Sequence, residues 1–374
     1  MDMDFGEKLL PAEESFVHGA DSLGQLLERL RSRISPALVG DPEWERLLER
    51  VHPLPTTMAA FPFGFELPLH DPRPRADFGA PVVGGSRSAA FFEEAGRSEG
   101  ASPSAAGIAR LLAETQAGDS PLHRGIVGLE YDIDTTGRGS HPEPGVFLYP
   151  TEQALVGDRS QPRLRDLGVL VDAVASATGR DLGAAQRRTA GEIFLAMEPD
   201  SFVQSAGAFP SRGSGLRLAV RPFRTTDSLM AFLERAGWPG QHPFVASTVS
   251  RYEERGAFAY LGVHLDVQAD GAGPALGLSF YAPGAHWVKD IRHWLPLIDG
   301  IREERLAVPE KLSALVDSWS ATEALFDASG PFMLVRGIHH IKLTVTEGRI
   351  EQVKAYVFML MLRRFLSQEK DSAA

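Results

Sequence analysis

Charged and aromatic polar residues recur at alternate positions of several apolar stretches, and chemistry is expected there. In GLEYDI the apolar set Leu129, Tyr131 and Ile133 leaves Glu130 and Asp132 on the other side. In GVHLDV, Val263, Leu265 and Val267 alternate with His264 and Asp266. LRLAVR carries Arg217 and Arg221 around Ala219, and Glu66 joins from GFELPL. Toward the end, His340, Lys342 and Thr344 are followed by Gln352, Lys354 and Tyr356. Strand side chains alternate between two faces, so these polar halves are expected to share one face while the apolar halves pack. Carboxylates there suit proton transfer, and Lys and Arg suit an anionic ligand. Four cations (Arg217, Arg221, Lys342, Lys354) stand against four acids (Glu66, Glu130, Asp132, Asp266), so the face is of mixed sign and carries no net field.

Positioning such residues requires a regular scaffold, and the chain punctuates itself into one. Ser22–Ile34 places Leu23, Leu26, Leu27, Leu30 and Ile34 on one helical face, and Asp41-Pro42 opens a second helix. The stretches Phe61–Leu69 and Ala76–Val83 then read as strands bounded by turn residues. The order recurs: helices near Ser88–Arg97 and Ser104–Gln116 lead to strands at Gly125–Ile133 and Gly145–Pro150. Helices at Leu164–Thr178 and Leu182–Met197 precede strands at Ser201–Phe209 and Gly215–Phe223. Helices at Thr226–Ala236 and Pro243–Arg255 precede strands at Ala259–Val267 and Ala275–Pro283. Helices at His286–Glu304 and Pro309–Phe326 precede strands at Phe332–Val345 and Ile350–Leu360. Five ααββ units result (19–84, 88–150, 163–223, 225–283 and 285–362), forming one domain over 19–366, with an N-terminal segment 1–18 and a flexible tail 367–374. GLEYDI and GVHLDV match position for position, and each precedes an apolar strand ending in proline. A unit that is half sheet and half amphipathic helix cannot bury its apolar face alone, so the copies are expected to close on one another as an α+β barrel of ten antiparallel strands ringed by helices. Two α+β domains dividing near Pro199 are the alternative.

Composition narrows the function classes. The 374 residues are 43% hydrophobic and 23% charged, with a net charge of −11 and no cysteine. An acidic chain without basic clusters is a poor partner for nucleic acid or anionic membrane. The nearest basic run is Arg363-Arg364. The absence of cysteine excludes disulfides, thiolate nucleophiles and thiolate-bound metals. Five acidic residues in Met1–Glu14 argue against a signal peptide, and no apolar run reaches bilayer length, so a cytoplasmic location is expected. Gly84-Gly85-Ser86 and Arg212-Gly213-Ser214-Gly215 lack the lysine and the spacing of phosphate-binding loops, and no nucleophile elbow occurs. No cofactor or metal is expected. His286, Trp287, His293 and Trp294 at helical spacing suggest an exposed face able to bind a second subunit as a homodimer.

Five ααββ units over nearly the whole chain resemble the aromatic prenyltransferase barrel, whose ten antiparallel strands enclose a lumen. The resemblance implies that Arg217, Arg221, Lys342 and Lys354 grip the diphosphate of a prenyl donor and that Tyr281 and Tyr356 shield the allylic cation. It further implies that Glu66 or Glu130 takes the proton of a small aromatic substrate. Lys354-Ala355-Tyr356 resembles the family's Lys-x-Tyr strand pattern, which appears clearly only once, while GVFLYP and LGLSFYAP carry no cation. A second likeness covers the middle half. The LEYD–VFLYP and AGAFPSR–GLRLAV strand couples are similar to peptide-handling proteins of ribosomal peptide natural-product (RiPP) pathways of the crocagin type. That resemblance implies an accessory scaffold binding a precursor peptide along a strand edge or aromatic groove, and this is the reading preferred from the sequence, with prenyl transfer second. Third, His264-x-Asp266 is similar to the His-x-Asp pair of iron/2-oxoglutarate oxygenases, with His339 as distal histidine and Arg349 for the 2-oxoglutarate carboxylate.

Overall fold

The computed structural model describes residues 20–362 except 134–142, 153, 158–159, 211–214, 285, 287 and 328–329. The terminal segments 1–18 and 367–374, Arg363-Arg364, Arg212-Gly213-Ser214 and Trp287 therefore lie outside the described residues. Among the described residues ten α-helices and eleven strands alternate, as helix pairs and strand pairs with a third strand in the last unit. The helices are α1 (Leu23–Leu30), α2 (Asp41–Val51), α3 (Arg87–Arg97), α4 (Pro103–Gln116), α5 (Gln161–Ala177), α6 (Ala184–Leu195), α7 (Thr226–Arg235), α8 (His242–Glu254), α9 (Leu295–Glu303) and α10 (Pro309–Ser318). The strands are β1 (Phe63–Pro68), β2 (Asp77–Val83), β3 (Ile126–Tyr131), β4 (Gly145–Tyr149), β5 (Phe202–Ala208), β6 (Leu216–Phe223), β7 (Tyr260–Gln268), β8 (Gly271–Tyr281), β9 (Ala321–Asp327), β10 (Gly330–Thr346) and β11 (Arg349–Leu362).

Local sequence explains the helix starts. Ser22, Ser86, Ser102 and Thr225 each accept a hydrogen bond from a backbone N–H in the first turn of α1, α3, α4 and α7. Proline in the first turn opens α2, α4, α5, α8, α9 and α10, where its missing N–H costs nothing. Each helix buries one apolar face, such as Leu229, Phe232 and Leu233 of α7.

Ten strands close into an antiparallel barrel in the order β11-β1-β2-β3-β4-β5-β6-β7-β8-β10, with β10 returning to β11. The closing seam runs from Phe63↔Met359 to Pro68↔Lys354. Closure leaves none of these ten as an isolated edge, which is the main thing a sheet of this width must manage. β4 pairs with β5 across Pro199, so the chain does not divide there. Outward-pointing side chains meet the helices: Phe223 of β6 lies 4.9 Å from Phe232 of α7, and Phe280 of β8 lies 5.3 Å from Tyr252 of α8. The main core is this annulus between sheet and helices, with the barrel interior on the other side.

Three expectations fail in the last unit. The helix read to Phe326 stops at Ser318, and 321–327 forms β9. β10 spans 17 residues and pairs with β8 only from Ile341 to Val345, so its earlier half presents a free edge that β9 fills, Gly330↔Asp327 to Arg336↔Ala321. The helix read from His286 begins only at Leu295, because Pro296 favours a helix start there; a single 3-10 turn at Ile291–His293 precedes it. Trp294 is 1% exposed and belongs to the core, so it cannot contribute to the exposed Trp/His face expected for a second subunit.

Candidate active site in the barrel lumen

Strand alternation places the polar halves where the sequence puts them. A cavity of about 160 Å³ is lined by Glu66, Glu130, Arg217, His264, Tyr281, Lys342, Lys354 and Tyr356 from seven different strands, together with His339 and His340. Asp266 and Arg221 share this inner face and are engaged at its margin. A second chamber of about 290 Å³ adjoins it along β1, β2, β3 and β11. Glu66, Glu130, Tyr149, His339 and Tyr356 border both. Gly64, Gly79, Gly128 and Pro81 take the inward positions that bulky side chains hold elsewhere, so this wall is thin and largely apolar. A Cβ on Gly79 would meet nothing closer than 3.8 Å.

In the first cavity almost every charge is met. Lys354 Nζ donates to Glu66 Oε1 at 2.5 Å, and Arg217 Nε donates to Asp266 Oδ1 at 2.8 Å. Arg221 donates to Tyr260 Oη at 2.6 Å and to Glu152 Oε1 at 2.9 Å. Lys342 donates to the Tyr356 hydroxyl and lies 4.7 Å from that ring's centroid. Burial pushes the Lys342 ammonium down to about 8; Glu66 opposes this, while Lys354 and Arg217 add to it. Burial alone would raise Glu66, but Lys354 and Lys342 outweigh it and hold the carboxyl well below its ordinary range. His264 is kept neutral by burial and by Lys342 and Arg217. Burial, then the charges of Glu66 and Glu130, raises Tyr356.

Rings form a continuous stack across β7, β8, β10 and β11. Tyr260 lies on Tyr281 (4.6 Å, 18°), Tyr281 on His340 (5.3 Å, 28°) and His340 on Tyr356 (4.1 Å, 12°). Arg221 sits 5.5 Å from the Tyr281 centroid and 5.6 Å from that of Tyr260. Gln204 and Tyr281 fix one another's polar ends at 3.2 Å.

The oxygenase triad does not assemble. His264 and Asp266 do share the inner face, but His264 Nε2 bonds Ser279 Oγ at 2.9 Å and Asp266 is taken by its cross-strand neighbour Arg217. Arg349 is exposed on the β10–β11 turn and pairs with Glu351. Among the described residues no three His, Asp or Glu side chains come together as metal ligands.

Several lumen residues escaped the sequence reading. Asp77, opposite Glu66 on β2, lines the apolar chamber; burial first, then the neighbouring Glu66 charge, pushes its carboxyl up to about 6. Asp77 Oδ1 also accepts from Ile133 N at 2.9 Å. Tyr149 and Phe147 enter from β4. The alternation rule applied to ADFGAPVV and GVFLYP finds all three. His339, read from the sequence only as a distal histidine, is different: a register shift between Ile338 and His340 turns two consecutive side chains inward, which alternation forbids.

No family profile and no curated protein matches the chain. Among solved structures it is similar to 5-dimethylallyltryptophan synthase from Streptomyces coelicolor, with a TM-score of 0.50 and 13% identity over 90% of this chain and 97% of that one. The barrel has the prenyltransferase fold. The expected likeness to peptide-handling proteins finds no support in the comparisons. Among the described residues no helix is long and apolar enough to cross a membrane.

Proposed function

We propose that the lumen transfers an allylic prenyl group from a prenyl diphosphate to an aromatic acceptor. One observation carries this reading: Arg217, Lys342, Lys354 and the rings of Tyr149, Tyr281 and Tyr356 converge on one enclosed cavity, which opens beside a largely apolar chamber. The cations hold the diphosphate. Without ligand they are satisfied by Glu66, Asp266 and the Tyr356 hydroxyl, because a buried charge left unpaired is costly. Phosphate oxygens replace those partners when the donor binds. The tyrosine faces then stabilise the positive charge that develops as the allylic C–O bond breaks and diphosphate departs with the electron pair. Lys354 released from Glu66 leaves that carboxylate to accept a hydrogen bond from an N–H or O–H of the acceptor. The acceptor ring occupies the chamber that Gly79 keeps open.

Calorimetric titration with dimethylallyl and geranyl diphosphate, followed by incubation with tryptophan and indole and mass spectrometry, tests the reading. A saturable heat with one donor and a product heavier by one prenyl unit are expected. No heat with either donor sinks it.

A further inference from the structure

The two histidines at the β10 register shift include a buried lumen nitrogen whose hydrogen bonding is incomplete. His340 is 8% exposed, its Nε2 has no hydrogen-bond partner among the described residues, and its ring lines the polar cavity between Tyr281 and Tyr356. Its Nδ1 lies 2.7 Å from Nδ1 of His339, a contact in which one ring must donate and the other accept. His339 is exposed where the two chambers meet, and burial there, then Arg221, pushes its imidazole down to about 4. A solvent-linked imidazole hydrogen-bonded to a buried one with a bare nitrogen is the arrangement of a proton relay.

We propose that His340 Nε2 accepts the proton lost by the prenylated ring and that His339 passes it out of the lumen. The proposal rests on the transferase reading above and adds a role that reading leaves open. In the resting tautomer His340 Nδ1–H donates to His339 Nδ1, which leaves the Nε2 lone pair facing the cavity. The charged groups around His340 are Lys342 on its own strand and Arg221 from β6, and both keep the resting imidazole neutral. His264 of β7, Tyr281 of β8 and Tyr356 of β11 complete its titratable surroundings. As the ring carbon bonds to the allylic carbon, the ring becomes an arenium cation. Its C–H electron pair returns to the ring, the proton moves to Nε2 of His340, and the Nδ1 proton of His340 moves to Nδ1 of His339. His339 then releases a proton from Nε2 to solvent, which leaves both rings in the opposite tautomer. The dyad returns to rest when His339 Nε2 takes a proton back from solvent, His339 Nδ1–H passes to His340 Nδ1 and His340 Nε2–H goes to the departing diphosphate. An arenium is a strong acid, so a weakly basic neutral imidazole suffices, and it does not repel the diphosphate as a carboxylate would. Glu66, held as a carboxylate by two lysines, orients the acceptor and does not take this proton.

The test uses the full chain with dimethylallyl diphosphate and ring-deuterated tryptophan or indole. His340→Gln is expected to lower kcat about 100-fold while the calorimetric Kd for the donor changes less than about threefold. It should also unmask a primary isotope effect on the deuterated ring that is absent before substitution. His339→Gln is expected to cost about tenfold. A His340→Gln protein with kcat within threefold of the parent overturns the proposal. Long-range proton–nitrogen NMR on the unsubstituted, histidine-labelled protein reads the tautomer without reference to turnover. A proton on His340 Nδ1 supports the relay and one on Nε2 overturns it. If the parent protein transfers no prenyl group, the transferase reading fails by itself, and the tautomer decides whether the dyad is built as inferred.

Discussion

The two walls of the lumen are made from the same repeating unit and have opposite characters. β6, β7, β10 and β11 fill their inward positions with Arg217, His264, Lys342 and Lys354, and spend most of that charge on internal partners. β1, β2 and β3 put Gly64, Gly79 and Gly128 inward, and hold the acids Glu66, Asp77, Glu130 and Asp132 along a mainly apolar chamber. Glu130 and His264 occupy equivalent places in matching motifs, GLEYDI and GVHLDV. The two walls thus differ at many inward positions, of which the exchange of Glu130 for His264 is one. Alternation fixes only the face; residue size and sign decide the use.

The comparison breaks most sharply at Lys354. Lys354→Met leaves the Glu66 carboxylate buried without its main partner and is expected to cost about 3–5 kcal/mol of stability. The double variant with Glu66→Gln should regain most of that loss while still binding no prenyl diphosphate. Denaturant unfolding checks the first part and calorimetry the second; a single variant losing under about 1 kcal/mol would mean that the pair is solvated.

A second expected effect is in pH dependence. The Asp77 carboxyl is raised in the folded protein from 3.8 to about 6, so its protonated form is the one folding favours. Its contribution is fully present below about pH 4 and is lost as pH rises through 6, roughly 2–3 kcal/mol in all. Asp77→Asn should therefore stabilise the protein at pH 7 relative to the parent and flatten the profile between pH 4 and 7. Glu66 works in the opposite direction: its folded pKa is depressed, so its stabilisation is present above 4.5 and fades as pH falls. Equal profiles for parent and Asp77→Asn would remove the carboxyl pair from the account.

Filling the open wall gives a smaller change in stability and a large one in binding. Gly79→Leu adds a side chain where the nearest atoms leave ordinary clearance, so stability should move by less than about 1 kcal/mol. The acceptor KM should rise at least about tenfold while donor heat is retained. Parallel loss of donor and acceptor binding would mean that the chambers are not divided as described. The smallest effect is expected outside the barrel. Phe326 on β9 is 80% exposed, and Phe326→Ser should change stability by less than about 0.5 kcal/mol and leave turnover unchanged.

Most of the barrel was legible because strand and helix periods are local. Ser and Pro signals mark the helix starts, and alternation alone assigns Glu130, Arg217, His264 and Lys354 to one face. β9 was not legible: Thr322 to Phe326 continue an apolar pattern compatible with helix, and only the surplus length of β10 supplies them with a strand partner. The preference for a peptide scaffold came from a likeness of strand couples, helped by counting cations against acids. The same counts describe a lumen whose charges are paired at rest, which an anionic ligand can re-pair.

What the residues determined by themselves was the ααββ repeat, the inner and outer faces of its strands, and the exclusion of cysteine chemistry, since each follows from neighbours in sequence. The tertiary structure alone decided that Lys354 meets Glu66 across 288 positions and that Arg217 meets Asp266 across 49. It alone also turned His339 inward beside His340. Ring closure and the register of one strand against another depend on where the rest of the chain lies, and no local period carries that information.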